Sequence, residues 1–71
     1  MSRAQYSRTL NPLDLKCLQL AIEGNVDGDI ARMLGRSAST ITNRFQRVMS
    51  KLGAQTRTHM VAIAFREGLV E

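Results

Sequence analysis

Hydrophobic residues recur three and four places apart through residues 38–52 of the chain. At about 100° per residue, their side chains fall within an arc of about 100°. These residues are Ile41, Phe45, Val48, Met49 and Leu52. Polar residues point to the opposite side: Ser39, Asn43, Gln46, Arg47 and Ser50. The pattern predicts an amphipathic helix that buries one side and presents a polar side without acidic residues.

Capping residues and glycines predict three further helices and an all-α fold. With the helix at 38–52, the predicted helices cover about residues 12–23, 27–34 and 38–52, and a fourth ends near Gly68. Residues able to cap a helix start are Asn11 before Pro12, Ser37, and either Thr56 or Thr58. Glycines able to end one are Gly24, Gly35 and Gly53. Residues 1–9 are polar and aperiodic, so we expect a flexible tail or linker stub before a domain at 10–71.

Length and composition exclude several classes of protein. A chain of 71 residues is one domain at most. Its longest apolar run, residues 60–65, is too short to cross a bilayer, and no signal-peptide pattern opens the chain. One cysteine, Cys17, and one histidine, His59, cannot form a disulfide or a zinc site. We therefore expect a soluble cytoplasmic protein without metal or cofactor, with Cys17 in the core.

Charge is unevenly distributed along the chain, which has a net charge of +4. Residues 30–66 hold seven basic residues and no acidic residue, whereas the rest holds three basic and six acidic residues. The seven are Arg32, Arg36, Arg44, Arg47, Lys51, Arg57 and Arg66. A basic surface on an amphipathic helix is typical of a nucleic-acid-binding protein. The same polar side is also compatible with an ordinary solvated helix face.

The residues before the amphipathic helix favour DNA binding. Two predicted helices meet at a three-residue turn that begins with Gly35, which is the spacing of a helix-turn-helix motif. Ala31 is small enough for the helices to cross closely, and apolar residues on both sides supply a joint core: Ile30, Leu34, Ile41 and Phe45. An α-hairpin in a simple bundle shares these features. The uneven charge distribution is what favours a DNA-binding motif over such a hairpin.

From Leu10 to Val70 the chain resembles the LuxR-type (GerE, NarL/FixJ-like) helix-turn-helix domain. Matching positions run through all four predicted helices: Leu10, Pro12, Leu18, Leu20, Glu23, Gly24, Ile30, Ala31, Leu34, Gly35, Ser37, Thr40, Ile41, Lys51, Leu52, Gly53, Arg57, Thr58, Val61, Ala62, Ala64, Gly68, Leu69 and Val70. One departure is Val26, which stands where the family usually has a Ser or Thr cap for the second helix.

The resemblance implies that the third helix enters the major groove of DNA and that the fourth dimerises on a two-fold site. The base-reading positions then correspond to Thr42, Asn43 and Gln46, and backbone contacts to Thr40 and Lys51. Orientation and charge add Ser39 and Arg47 as backbone contacts. Helical periodicity independently places Asn43 and Gln46 on the polar side of the helix, whereas Thr42 lies near the border of the apolar arc.

The fourth predicted helix is apolar almost all round. One side holds Met60, Ile63 and Ala64, and the other holds Val61, Ala62 and Phe65. Either the helix is central to the core, or its second side forms a homodimer interface, which the resemblance favours.

Two functions from different classes follow. The first is a sequence-specific transcription regulator or its isolated DNA-binding domain. The alternative is a short interaction module that heterodimerises with a full-length regulator and antagonises it, because no sensing domain fits into the nine residues before the motif. No paired carboxylates, activated nucleophile or Gly-rich phosphate loop indicates an enzyme. We therefore expect no catalytic residue.

Overall fold

Four α-helices joined by short turns form the part of the chain that the computed structural model describes, residues 10–71. They are α1 (Pro12–Ile22), α2 (Asp27–Leu34), α3 (Ala38–Leu52) and α4 (Arg57–Arg66). No strand occurs in this range, so the all-α prediction is confirmed. The predicted tail at residues 1–9 lies outside the described residues.

Side-chain caps begin three of the four helices. Asn11 and Asp14 form a reciprocal capping box at α1, in which each side chain accepts a hydrogen bond from the other's backbone N–H. Ser37 caps α3, and Thr56, not Thr58, caps α4 by accepting from the His59 N–H at 3.0 Å. Each cap satisfies an N–H group that the helix itself leaves unpaired.

The hydrophobic core forms around α3, which packs against each of the other helices. The predicted apolar arc is confirmed, because Ile41, Phe45, Val48 and Leu52 are buried and Met49 is partly buried. Buried side chains from the other helices and the flanking segments complete the core: Leu10, Cys17, Leu18, Leu20, Ile30, Ala31, Met60, Ile63, Ala64 and Val70. This packing leaves the polar side of α3 facing away from the rest of the domain.

The turn from α2 to α3 has the predicted three-residue form. Gly35 adopts a φ of +67°, a left-handed conformation that is strained for residues with a Cβ atom. The next N–H, of Arg36, then donates to the Ala31 carbonyl oxygen at 2.8 Å. Ala31 is itself buried at the crossing of the two helices. The geometry is that of a helix-turn-helix motif, with α3 as its second helix.

The N-cap of α2 is Val26, which provides no side-chain hydrogen bond and is 65% exposed. We expect Val26→Ser to raise the free energy of unfolding by about 1 kcal/mol, because serine can accept from an unpaired N–H of the first turn. Urea unfolding followed by far-ultraviolet circular dichroism measures the change. Val26→Ala is the control, since it removes the same exposed side chain without adding an acceptor. Equal stability of the two variants would contradict the capping explanation.

Candidate nucleic-acid interface

The polar side of α3 faces solvent along the helix. Its exposed residues are Ser39, Thr40, Thr42, Asn43, Gln46, Arg47 and Ser50. Asn43 and Gln46 carry carboxamides, each with paired donors and an acceptor, and Arg47 carries a guanidinium group. These groups match the hydrogen-bonding edges of bases and the phosphate oxygens of a duplex. The sequence-based expectation that these three side chains lie on the exposed side of α3 is confirmed.

Three hydroxyl groups cluster at the start of α3. The Ser37 Oγ accepts from the Thr40 N–H at 3.2 Å and lies 2.8 Å from the Thr40 Oγ1 and 3.2 Å from the Ser39 Oγ. This is the positive end of the helix dipole, where hydroxyl and N–H donors favour an anion. Ser39 and Thr40 therefore lie where an anion is favoured, and their contact with the DNA backbone stays a prediction.

The basic residues at 30–66 do not form one free positive surface. Four of the seven pair with acidic residues that lie outside that stretch in sequence but close in space. The pairs are Arg32 with Asp29, Arg44 and Lys51 with Asp14, and Arg57 with Asp27. Arg36, Arg47 and Arg66 form no ion pair with an acidic residue of the described range. The sequence-based count thus overstates the positive charge available to a polyanion.

Lys51, a predicted contact to the DNA backbone, also forms an ion pair within the protein. Its Nζ lies 3.2 Å from the Asp14 Oδ2, and its side chain is 27% exposed. An ammonium group carries three protons, so the bond to Asp14 leaves donors for a phosphate. The predicted backbone contact of Lys51 stays a prediction, with an additional structural role that the sequence did not indicate.

Thr42 is also tied to the protein itself. Its Oγ1 donates to the Asp27 Oδ2 at 2.7 Å, and the same oxygen accepts from the Arg57 Nη1 at 3.0 Å. The Arg57 Nη2 lies 2.7 Å from the other oxygen, Oδ1, without hydrogen-bond alignment. The hydrogen bond from Arg57 lowers the pKa of Asp27, outweighing the opposing effect of burial, and Thr42 contributes further. Asp27 thus joins the first turns of α2 and α4 to the exposed side of α3.

Arg57 also contacts the core side of α3. Its guanidinium carbon lies 4.0 Å from the centre of the Phe45 ring, a cation–π contact. The sequence analysis counted Arg57 among the seven basic residues of 30–66 without a partner for its charge, because neither Asp27 nor Phe45 is near it along the chain.

The outer side of α4 keeps apolar surface exposed. Met60, Ile63 and Ala64 are buried in the core, as predicted for one side of the helix. On the other side Val61 is half-buried, and Ala62 and Phe65 are exposed, Phe65 at 55%. An aromatic side chain so exposed is a candidate for contact with another chain.

Other chemistry is sparse among residues 10–71. No group of His, Cys, Asp and Glu side chains there has the geometry to hold a metal ion. Cys17 is buried as expected, and burial raises the pKa of its thiol, which disfavours the reactive thiolate. None of the four helices has the length and apolar character needed to span a membrane.

A family comparison agrees with this geometry. Residues 8–64 match the family model described as bacterial regulatory proteins, luxR family. The chain belongs to the LuxR family of bacterial regulatory proteins. As a LuxR-family chain with a helix-turn-helix, it corresponds to the DNA-binding domain of a transcription regulator.

Two curated relatives within the LuxR family illustrate the match. The HTH-type quorum sensing-dependent transcriptional regulator VjbR of Brucella abortus is 34% identical over 62 residues, which cover 87% of this chain and 24% of VjbR. The uncharacterized transcriptional regulatory protein YxjL of Bacillus subtilis is 38% identical over 58 residues, which cover 82% of this chain and 27% of YxjL. The chain thus spans about a quarter of the length of these relatives. No solved structure was found to match it.

Two ion pairs of this LuxR-family domain share the carboxylate of Asp14, which is 1% exposed. Its carboxylate accepts from the Asn11 N–H at 3.1 Å and the Arg44 Nη1 at 2.7 Å, as well as from Lys51. Burial alone would raise the pKa of Asp14, but these hydrogen bonds hold it below its ordinary value of 3.8. One carboxylate therefore caps α1 and fastens it to α3 at two points.

From the sequence alone, Asp14 is explained by the capping box that it forms with Asn11. A signal for the second role was present in the sequence, because the apolar residues Cys17 and Leu18 follow Asp14 at helical spacings of three and four, which places Asp14 on the apolar side of α1. An acid on the core side of a helix requires cations, and only the fold shows which ones.

We expect Asp14→Asn to lower the free energy of unfolding by about 3 kcal/mol at neutral pH, because it leaves two cations without their counterion. The sign of the pH effect follows from the lowered pKa: the stabilisation is present above pH ~4 and is lost as pH falls through the folded-state pKa. Wild-type stability should therefore fall with acid more steeply than that of the variant. Urea unfolding at a series of pH values tests both effects.

Asp29→Asn is the matched control, since its pair with Arg32 is exposed and should contribute less than about 1 kcal/mol. Equal losses for the two variants would show that burial of Asp14 does not strengthen its interactions.

Proposed function

We propose that this domain binds double-stranded DNA sequence-specifically and regulates transcription, with α3 in the major groove. The observation that carries the proposal is the exposed polar side of α3, where Asn43, Gln46 and Arg47 stand together and no acidic residue intervenes. The major groove admits an α-helix, and the first half of a recognition helix contacts base edges. The names of the relatives, both transcriptional regulators, support the regulatory role. A regulator that binds bacterial DNA acts where that DNA lies, so the proposal includes a cytoplasmic location.

The proposed DNA-binding residues are of two kinds: readers, which contact base edges, and backbone contacts, which bind phosphate groups. Asn43 and Gln46 would read bases, since a carboxamide can form paired hydrogen bonds with adenine, and Thr42 would read the base beside Gln46. Phosphate contacts would come from Ser39, Thr40, Arg47 and Lys51. We call these seven residues the DNA interface. Catalytic residues, metals and cofactors have no part in the proposed function.

We further propose that α4 forms a homodimer on a two-fold DNA site through Val61, Ala62 and Phe65. The support is the exposed aromatic ring beside two small apolar residues on one side of a helix whose other side is fully buried. A two-fold interface uses the same surface on both copies, so one apolar helix side suffices.

The same surface of α4 supports a second candidate function. A chain that pairs through α4 with a longer LuxR-family regulator would antagonise it by forming a heterodimer. The DNA interface separates the candidates, because an antagonist requires only α4, whereas a regulator requires both surfaces.

We expect wild-type binding to a mixed-sequence duplex to weaken with salt with a log–log slope of about −2 per protomer, because the DNA interface holds two cations, Arg47 and Lys51, and each neutralises about one phosphate. Fluorescence anisotropy at several salt concentrations measures the slope. A flat response would contradict the proposed function and favour the antagonist.

Single substitutions then distinguish readers from backbone contacts. On a site selected from random DNA, Asn43→Ala or Gln46→Ala should cost about 1–3 kcal/mol of binding free energy, with little loss on random DNA. Arg47→Ala should weaken both duplexes alike and reduce the salt slope by about 1. Gln55→Ala, an exposed glutamine outside α3, is the control and should change neither. Equal losses on both duplexes for Asn43→Ala would reassign that residue to positioning.

We expect Phe65→Glu to weaken self-association at least about tenfold, because it places a charge in an apolar interface. Sedimentation equilibrium over a range of protein concentrations measures the dissociation constant. Met33→Glu is the matched control, since Met33 is 58% exposed but lies on α2. A wild-type chain that stays monomeric with and without DNA, or equal weakening by both substitutions, would contradict dimerisation through α4.

A further inference from the structure

Thr42 differs from the other two proposed readers because its hydroxyl group is already bonded within the protein. Its Oγ1 donates its proton to the Asp27 Oδ2 at 2.7 Å. A hydroxyl group has one proton to donate, so this bond removes Thr42 as a donor toward a base. Asp27 is held in turn by Arg57, whose Nη1 lies 3.0 Å from the same oxygen. The acceptor is thus fixed by a residue of another helix.

The bond also fixes the direction of the Thr42 methyl group. Threonine is branched at Cβ, and its χ1 angle takes only a few staggered values. Because Cβ of threonine is chiral, directing Oγ1 at Asp27 also fixes the direction of Cγ2. Thr42 is nevertheless exposed, and it precedes Gln46 by one helical turn on the same side of α3. The side chain therefore has apolar surface to offer beside a carboxamide.

A phosphate contact by the Thr42 hydroxyl is unfavourable because its one proton is already donated to Asp27. A phosphate oxygen placed against Oγ1 would meet another oxygen atom with no proton between them. An apolar partner avoids this repulsion.

We propose that Thr42 selects thymine by contact between its Cγ2 methyl group and the 5-methyl group of the base, with Asp27 as the positioning residue. Contact of a threonine methyl with the thymine methyl is a known form of direct readout in the major groove. The inference rests on the proposed function, since it requires that α3 enters that groove. It gives the proposed base contact of Thr42 an apolar character, and it gives Asp27 a part in specificity.

Replacement of thymine by deoxyuridine tests the proposal, because the two bases pair identically and differ only in the 5-methyl group. The 71-residue chain first selects a duplex from a random-sequence pool. Each thymine of that duplex is then replaced singly by deoxyuridine, and binding is measured by fluorescence anisotropy. At one thymine in a half-site we expect about fourfold weaker binding, the factor to which ~0.8 kcal/mol for one buried carbon group converts.

Two substitutions identify Thr42 as the reader. Thr42→Ser keeps the hydroxyl group and lacks the methyl, so its affinities for the thymine and uridine duplexes should become equal. Thr42→Val keeps methyl groups and lacks the hydroxyl, so it should retain the preference for thymine. A side chain that used its hydroxyl group would not distinguish the two duplexes, and Thr42→Val, not Thr42→Ser, would then bind both of them more weakly.

Two substitutions at Asp27 test the positioning role. Asp27→Asn keeps an acceptor oxygen and should retain the thymine preference, whereas Asp27→Ala frees the Thr42 side chain and should lower the preference toward unity. The ratio of the two affinities is the readout, because a general loss of stability would weaken binding to both duplexes alike. A full preference in Asp27→Ala would overturn the role of Asp27.

The failures of the two proposals are distinguishable. If no duplex is enriched from the pool, the proposed function fails. If a duplex is enriched but no single uridine weakens wild-type binding, or if Thr42→Ser keeps the thymine preference, the methyl contact is overturned while sequence-specific binding stands.

Discussion

The arrangement of this domain depends on one buried carboxylate. Asp14 caps its own helix and accepts hydrogen bonds from Arg44 and Lys51, both of which belong to α3. Burying a charge is unfavourable unless it is paired and hydrogen-bonded, and Asp14 meets that condition through three donors. Because Arg44 and Lys51 lie about two turns apart, the two bonds fix both the position and the rotation of α3 relative to α1. The rotation decides which side of α3 faces solvent.

A second acidic residue, Asp27, also connects other helices to α3. Asp27 pairs with Arg57 and accepts the Thr42 hydroxyl proton, so the starts of α2 and α4 are fastened beside the exposed side of α3. Both carboxylates neutralise cations that the fold itself uses. The positive charge left on the exposed side of α3 is therefore small, and in the proposed DNA complex recognition would depend more on carboxamide geometry than on bulk attraction. This division is suited to a domain that reads sequence.

The two proposed surfaces of the protein differ in chemistry and in location. The DNA interface is polar and lies on α3, whereas the apolar side of α4 ends in an exposed phenylalanine. The core between them is formed by the inward sides of the same two helices. A LuxR-family domain of this size thus presents two surfaces without additional elements, because each of these two helices contributes one side to the core and one to a proposed interface.

The sequence by itself determined the four helices, the caps of α1 and α3 and the buried side of α3, since helical periodicity and capping chemistry act over three or four neighbouring residues. It also placed Asn43, Gln46 and Arg47 on the exposed side. Only the tertiary structure showed that Arg44, Lys51 and Arg57 are paired and that the Thr42 hydroxyl is bonded to Asp27. Those contacts join residues 15 to 37 positions apart. A charge count along the chain treats each cation as free, because the distance between opposite charges is set by how helices pack and not by their order in the sequence.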